Sequence, residues 1–261
     1  MEKDEENKKE KDWYKKREKY WSSVEPNLTS VLGNEIIQLP DVKCSCELLN
    51  GLILSKQLNP KSCLDCAAGI GRVTEYVLSN FFSEIDLFEK DKVFLEKCKQ
   101  KFIGNDKVKN IYESSLEKFQ FEKKYDLIWI QWCLENLEDE DLFPFLKKCY
   151  DNIKDDGIII VKENLYNIDE NEEKEEDEEN EEKEKEKENN EEKEVPKNEI
   201  KDENNNNYEY KYSNADFSKQ RPDVFYINLF LKCNFKIKLH FLNPNWPDSM
   251  MPLCVYVLSK D

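Results

Sequence analysis

Short apolar runs that alternate with helical stretches constrain this chain more than any other feature. The runs are "CLDCA" (63–67), "EIDLFE" (84–89), "NIYES" (110–114), "YDLIWIQW" (125–132) and "GIIIVKE" (157–163). Between them lie "RVTEYVLSNFF" (72–82), "KVFLEKCKQKF" (92–102) and "EDLFPFLKKCYDNI" (140–153). Pro144 predicts that this last helix starts late, is kinked, or has the proline in its first turn. Later come a helix over 222–234 and two strand-like runs, 235–242 and 253–260, the second clearly alternating. Repeated β-α units closed by a strand pair predict an α/β fold, a doubly wound, Rossmann-like sheet. Seven strands are expected, mostly parallel, with an antiparallel edge formed by the final pair and an antiparallel last strand. An aromatic region from Trp13 to Trp21, helical in pattern, precedes them.

Charge is confined to one place. The net charge is −17, but residues 169–207 hold twenty acids and seven lysines, a net of −13, leaving −4 for the rest. That segment has too few apolar side chains to offset the entropy of ordering, so it is expected to be a disordered insert within one domain. The domain is expected to run over 13–261, after a charged, flexible stretch over 1–12. No basic stripe stands out, which disfavours nucleic acid. No run of about 18 apolar residues exists, so no membrane span is expected, and the charged start is no secretory signal. Nine cysteines without a regular framework suit a reducing compartment, cytoplasmic or nuclear. Cys63 and Cys66 have C-x-x-C spacing, but no second pair follows, and His240, the one histidine, is distant. Buried strand cysteines explain them better than a metal site does.

The turn after the first strand, "DCAAGIGR", lies where a doubly wound sheet binds ligands. Gly69 and Gly71 lack Cβ atoms, so a ligand could approach the backbone. Glu89 ends the second strand, placed to accept hydrogen bonds from ribose hydroxyls. A dinucleotide fingerprint would want a third small residue where Thr74 stands, and no Gly-Lys-Ser/Thr follows. The pattern suits S-adenosylmethionine (SAM) better than NAD; a bare tight turn is the alternative.

"LDCAAGIGRVT", "YDLIWIQW" and "IIIVKEN" together resemble the α-N-terminal protein methyltransferase family. That resemblance implies a class I SAM-dependent methyltransferase with an N-terminal helical lid. SAM would be the methyl donor and S-adenosylhomocysteine the product. The substrates implied are protein N-termini that begin Xaa-Pro-Lys/Arg, met by a monomer. The implied cofactor site comprises Ala67, Gly69, Gly71, Arg72, Glu89, Lys90, Asp91, Leu116, Glu117 and Gln131. Arg72 would hold the methionine carboxylate; otherwise it is a surface arginine at a helix start. Tyr20, Trp21, Leu32, Trp132, Asn164, Ser213 and Asp216 would meet the substrate, with Asn164, Asp216 and Asn136 as the catalytic set.

Several positions depart from the family pattern. Ala67 stands for a glycine, Glu89 for the usual aspartate and Glu117 for the usual glutamine. Ser213 replaces an acid, and Asn136 stands where the family has a catalytic histidine. Asparagine orients an amine but accepts no proton at neutral pH. For Asp216 the alternative is a helix N-cap ahead of the apolar helix. Two other functions stay open from sequence: a methyltransferase of small-molecule amines, and a SAM-binding regulatory subunit with weak activity.

Overall fold

The computed structural model describes residues 13–166, 198–201, 207–213 and 216–260. The stretch 1–12 and most of the acidic insert lie outside the described residues. Helix α1 covers 13–21, followed by α2 (Leu28–Leu32) and α3 (Gln38–Leu54). The body then alternates β1 (Ser62–Cys66), α4 (Arg72–Tyr76), β2 (Glu84–Glu89), α5 (Lys92–Lys101), β3 (Val108–Glu113), β4 (Tyr125–Gln131), α6 (Asp139–Asn152) and β5 (Ile153–Asn164). Near the end of the insert and beyond it come β6 (Asn198–Lys201), β7 (Asn207–Tyr212), β8 (Lys219–Gln220), α7 (Asp223–Lys232), β9 (Lys236–Leu242) and β10 (Leu253–Ser259).

Seven strands form the main sheet in the order β3-β2-β1-β4-β5-β10-β9. β1 to β5 pair in parallel, and β10 runs antiparallel to both β5 and β9. The chain builds outward from β1 to β3, returns to β4, and builds the other way. The switch point therefore lies between β1 and β4. β1 and β4 are buried along their whole length, because helices cover both faces of a parallel sheet. Leu49, Leu52, Val73 and Val77 pack with one face, and Phe145, Leu146, Tyr226 and Phe230 pack with the other. Cys63 belongs to the first cluster and Cys66 to the second, so the pair faces opposite sides of the sheet and cannot share a metal.

The expected antiparallel edge and antiparallel last strand are both present: β10 is buried at every position between β5 and β9, and β9 forms the edge, antiparallel to β10. "LCVYVLS" is apolar on both faces, whereas β9 carries Lys236, Lys238 and His240 and is mostly exposed. Charged side chains suit an edge strand because they oppose further pairing. Pro144 lies inside α6, which starts at Asp139, so of the three alternatives the late start and the first-turn proline do not apply. There it removes the N–H that would have bonded to the Glu140 carbonyl. One expectation needs correction: residues 169–207 are not irregular throughout, since β6 lies within them and pairs antiparallel with β7.

The β1–α4 turn is built tightly. Gly71 has φ 75°, and a Cβ there would sit 2.4 Å from Phe102 Cε2 and 3.0 Å from Cys98 Sγ. The position is glycine so that α5 can pack against the turn. Gly71→Ala should destabilise the fold by about 1–3 kcal/mol through crowding, with about 1–2 kcal/mol more from the left-handed backbone. Denaturant unfolding measures this, and Phe102→Leu in the same chain should recover part of the loss. A neutral Gly71→Ala would remove the packing role.

Candidate active site

At the carboxyl ends of β1, β2, β4 and β5 the structure holds a cavity of about 400 Å³. Every sequence-predicted site residue lines it except Gly71. Gly71 faces Phe102 and Cys98 instead, so it shapes the turn rather than admitting a ligand.

Gly69 does line the cavity, with φ 58° and nothing nearer than 3.8 Å to a Cβ placed there. Glycine is therefore favoured here by backbone conformation rather than by crowding. Ala67 is also left-handed, at φ 49°, and carries strain that a glycine would not. Glu89 ends β2 and closes this turn. Its Oε2 accepts from the Gly69 N–H at 2.9 Å, and its Oε1 accepts from the N–H groups of Lys90 and Asp91 at 2.7 and 2.8 Å. Burial raises the Glu89 pKa, opposed by those three N–H groups. Removing this carboxylate would thus loosen the turn as well as any ribose contact. Asp91 caps α5 through the N–H groups of Val93 and Phe94, and accepts from Ser22 Oγ at 2.8 Å. With Trp21 edge-on to Phe94 at 5.8 Å, that bond latches the N-terminal segment beside the cavity.

Arg72 is no surface arginine; it is 2% exposed. Its Nη1 donates to Asp41 Oδ2 at 2.8 Å and to Gln38 Oε1 at 3.0 Å. Its guanidinium lies 5.0 Å from the Trp132 ring centre. Asp41, in the first turn of α3, also pairs with Lys162 of β5 and accepts from Gln131 Nε2 at 2.9 Å. Gln131 Oε1 in turn accepts from Trp129 Nε1 at 2.9 Å, which leaves Trp129 fully buried and within the core. Burial pushes the Asp41 pKa up, but Lys162 and Arg72 outweigh it and the net shift is downward. Sequence reasoning missed Asp41 and Lys162. An aspartate in a helical first turn is ordinary as a solvated group, and nothing local marks this one as buried.

The far side of the cavity is assembled from three separate segments. Trp132, with φ 53°, follows β4, and its Nε1 donates to Asn164 Oδ1 at 3.3 Å. Asn136 donates from Nδ2 to the Trp132 carbonyl at 2.9 Å, so its amide braces the same loop. Asp216 Oδ1 accepts from Ser218 N–H at 3.1 Å and Ser218 Oγ at 2.8 Å. The N-cap of α7 is Pro222, so Asp216 is not the cap of that helix. Arg221 holds the segment in place, donating to the Leu134 and Leu137 carbonyls and to Asp139. From above, Trp13 Nε1 donates to the Phe217 carbonyl at 2.9 Å, and Tyr14 Oη to Asp141 at 2.6 Å. Tyr20 and Trp21 then line the cavity beside Leu32 and Ser213. His240 lies on β9, bonded to Asp223 at 2.9 Å and stacked on Tyr256, and does not line the cavity.

A sheet of this order with its cavity at the switch point is the class I, Rossmann-like methyltransferase fold. A SAM-dependent methyltransferase of Leishmania major has a similar structure, with a TM-score of 0.75 at 25% identity over 95% of this chain and 83% of that one. A model of the AdoMet-dependent proline di-methyltransferases matches residues 9–192, and the chain belongs to that family. The chain is 42% identical to the alpha N-terminal protein methyltransferase 1 of Dictyostelium discoideum over 165 residues, 60% of this chain and 61% of the relative. It is 33% identical to the human N-terminal Xaa-Pro-Lys N-methyltransferase 1 over 162 residues, 60% of this chain and 72% of the relative. The chain thus spans about three fifths of the length of the first of these relatives. The family match ends before Asp216.

The cavity suits SAM piece by piece. Glu89 can accept from a ribose diol, Arg72 can face a carboxylate, and Leu116, Val31 and Phe94 supply apolar walls. The volume is in the range of small-molecule sites, about 300–1,000 Å³.

Asp41 holds together the Arg72 end of this site. Asp41→Asn should destabilise the protein by about 3–5 kcal/mol, because Arg72 and Lys162 would be left as buried cations short of their counter-charge. Guanidinium unfolding of the variant checks it, and a loss below about 1 kcal/mol would show that the two cations find other partners.

Proposed function

We propose that the protein is a SAM-dependent methyltransferase acting on the α-amino group of proteins that begin Xaa-Pro-Lys or Xaa-Pro-Arg. One observation carries this reading. A single cavity is lined at one end by Gly69, Arg72 and Glu89, and at the other by Trp132, Asn164 and Asp216. Cofactor and peptide would therefore share one space, as a direct transfer requires. Family membership supports it, and the named relatives supply the substrate motif.

Bound SAM supplies an electrophilic methyl group on a sulfonium sulfur. This chain's residues do the rest by placement. Arg72 would hold the methionine carboxylate of the cofactor and Glu89 its ribose. Asn164, braced by Trp132 Nε1, presents its amide to the first peptide units. The indole faces of Trp132 and Trp21 suit both a proline ring and a cationic amine. Asp216, fixed by Ser218, orients the α-amine in line with the methyl; such alignment provides much of the acceleration in a displacement of this kind. Cavity-lining carboxylates favour a basic third residue, with Asp216 supplying charge where Ser213 does not. We place the enzyme in the cytoplasm or nucleus, where its nine free cysteines would stay reduced.

Incubation with labelled SAM and three peptides tests this reading: Xaa-Pro-Lys, Xaa-Ala-Lys and N-acetylated Xaa-Pro-Lys. Label should enter only the first at an appreciable rate. Equal labelling of the Pro and Ala peptides would overturn the motif, and SAM binding without transfer to any peptide would favour a regulatory subunit. Asp216→Asn should lower turnover by about a hundredfold with SAM affinity nearly unchanged. Stopped assays and calorimetry on the same preparation separate these effects.

A further inference from the structure

Among the described residues no histidine lines the cavity. An α-ammonium has a reference pKa of about 8, so most of it arrives protonated at neutral pH and has no lone pair to offer. Something must take that proton. Several cavity carboxylates are already occupied. Glu89 accepts three backbone N–H groups, Asp65 accepts from Thr74 Oγ1 at 2.7 Å, and Asp216 Oδ1 accepts two bonds from Ser218.

Glu135 differs from all of these. It lines the cavity, lies in the Trp132–Leu137 loop directly before Asn136, and is 8% exposed. Its carboxylate accepts no hydrogen bond from any described residue. The residue is nine-tenths buried, but its carboxylate oxygens are not among the fully buried atoms, so they open onto the cavity without the donor that ordinarily stabilises such a charge. Arg17 has the complementary defect, with Nη1 and Nη2 buried and without hydrogen-bond partners. It lines the same cavity from α1 and interacts electrostatically with Glu135 and Asp216. Two unpartnered polar groups of opposite charge thus border one space, and an amine is a ligand that could engage the carboxylate.

We propose that Glu135 is a catalytic residue that accepts the proton the substrate's α-ammonium must lose before attack. This rests on the methyltransferase reading above. In the step, the N–H bond of the ammonium breaks and an O–H bond forms on Glu135. The freed nitrogen lone pair forms the new N–C bond, and the C–S electron pair leaves on sulfur. The proton held by Glu135 passes to solvent when the product departs, which resets the carboxylate for another cycle. Asp216 keeps its orienting role, and Asn136 braces the loop.

The surroundings suit this task. Burial and the facing carboxylates of Glu163 and Asp216 raise the Glu135 pKa, while Arg17 and Arg221 oppose them. Glu163, on β5, is also raised by burial, and its Oε2 has no partner. Tyr226, from α7, is the other titratable group that interacts with Glu135. A raised pKa makes the ionised carboxylate a stronger proton acceptor, and an ammonium entering beside it favours that ionised form.

The test is the pH dependence of methylation of an Ala-Pro-Lys peptide by wild type and Glu135→Gln, from pH 6 to 10. At pH 7 the variant should turn over about a hundredfold more slowly. Its rate should climb about tenfold per pH unit and approach wild type above the amine's own pKa. Peptide KM and SAM affinity should shift less than about threefold, within which orientation is intact. A second readout needs no variant and no turnover. Infrared difference spectra of the wild-type complex with S-adenosylhomocysteine should show a change in a protonated-carboxyl band on adding the peptide. The band should move on ¹³C-glutamate labelling, and the change should be missing with the N-acetylated peptide. A variant profile that superimposes on wild type, or a band indifferent to glutamate labelling, overturns the role of Glu135 and leaves the methyltransferase reading standing. A wild type inactive on the peptide removes that reading, and this proposal with it.

Discussion

The buried carboxylate of Asp41 is the interaction on which the site depends. It pairs with Arg72 from the first β-α turn and Lys162 from β5, and accepts from Gln131 at the end of β4. Three elements of the sheet region are thereby tied to α3, which precedes the sheet in the chain. Two cations around one buried anion would be unfavourable if any member were missing, because each charge has lost its hydration. The same arrangement keeps Arg72 turned towards the cavity, under the face of Trp132. A site with fixed charges in fixed places needs little rearrangement when a charged ligand arrives.

Opposite this rigid end, the Asp216 side of the cavity is held by contacts between segments far apart in sequence. Arg221 reaches the carbonyls of the Leu134–Leu137 loop and Asp139, Lys219 pairs with Glu138, and Trp13 reaches the Phe217 carbonyl. These bonds fix the turn that carries Asp216 and the loop that carries Glu135 relative to one another. The acidic insert enters between β5 and this turn. A long insertion there is tolerable, since closure entropy grows slowly with loop length, and the pins act on both sides of it.

Much of the fold was legible because periodicity is a local property. β2 coincides with the apolar run 84–89, and β1, β4 and β5 fall on or around their expected runs. The antiparallel edge and last strand were legible, but alternation in "LCVYVLS" says nothing of which neighbours flank it, so the order of the final pair was not. Lysines on β9 were the available signal. The site was legible where the backbone itself makes it, as at Gly69, Glu89 and the end of β4. Gly71 was assigned to the ligand because glycine spacing does not reveal that Phe102 occupies the missing Cβ's place. Asp216 offered a plausible cap, and only the start of α7 at Asp223 removed that option.

The sequence by itself determined the doubly wound sheet, the position of its first turn and the family to which the chain belongs, since all three rest on short-range patterns of residue type. Only the tertiary structure decided which charges are buried and which are paired. Asp41 and Glu135 are unremarkable acids in the chain, one in a helical first turn and one in a loop. Folding gives the first two cations and an amide, and gives the second no hydrogen-bond donor. Hydration costs and counter-charges depend on distances set by residues more than a hundred positions apart, as between Asp41 and Lys162, and no local pattern records them.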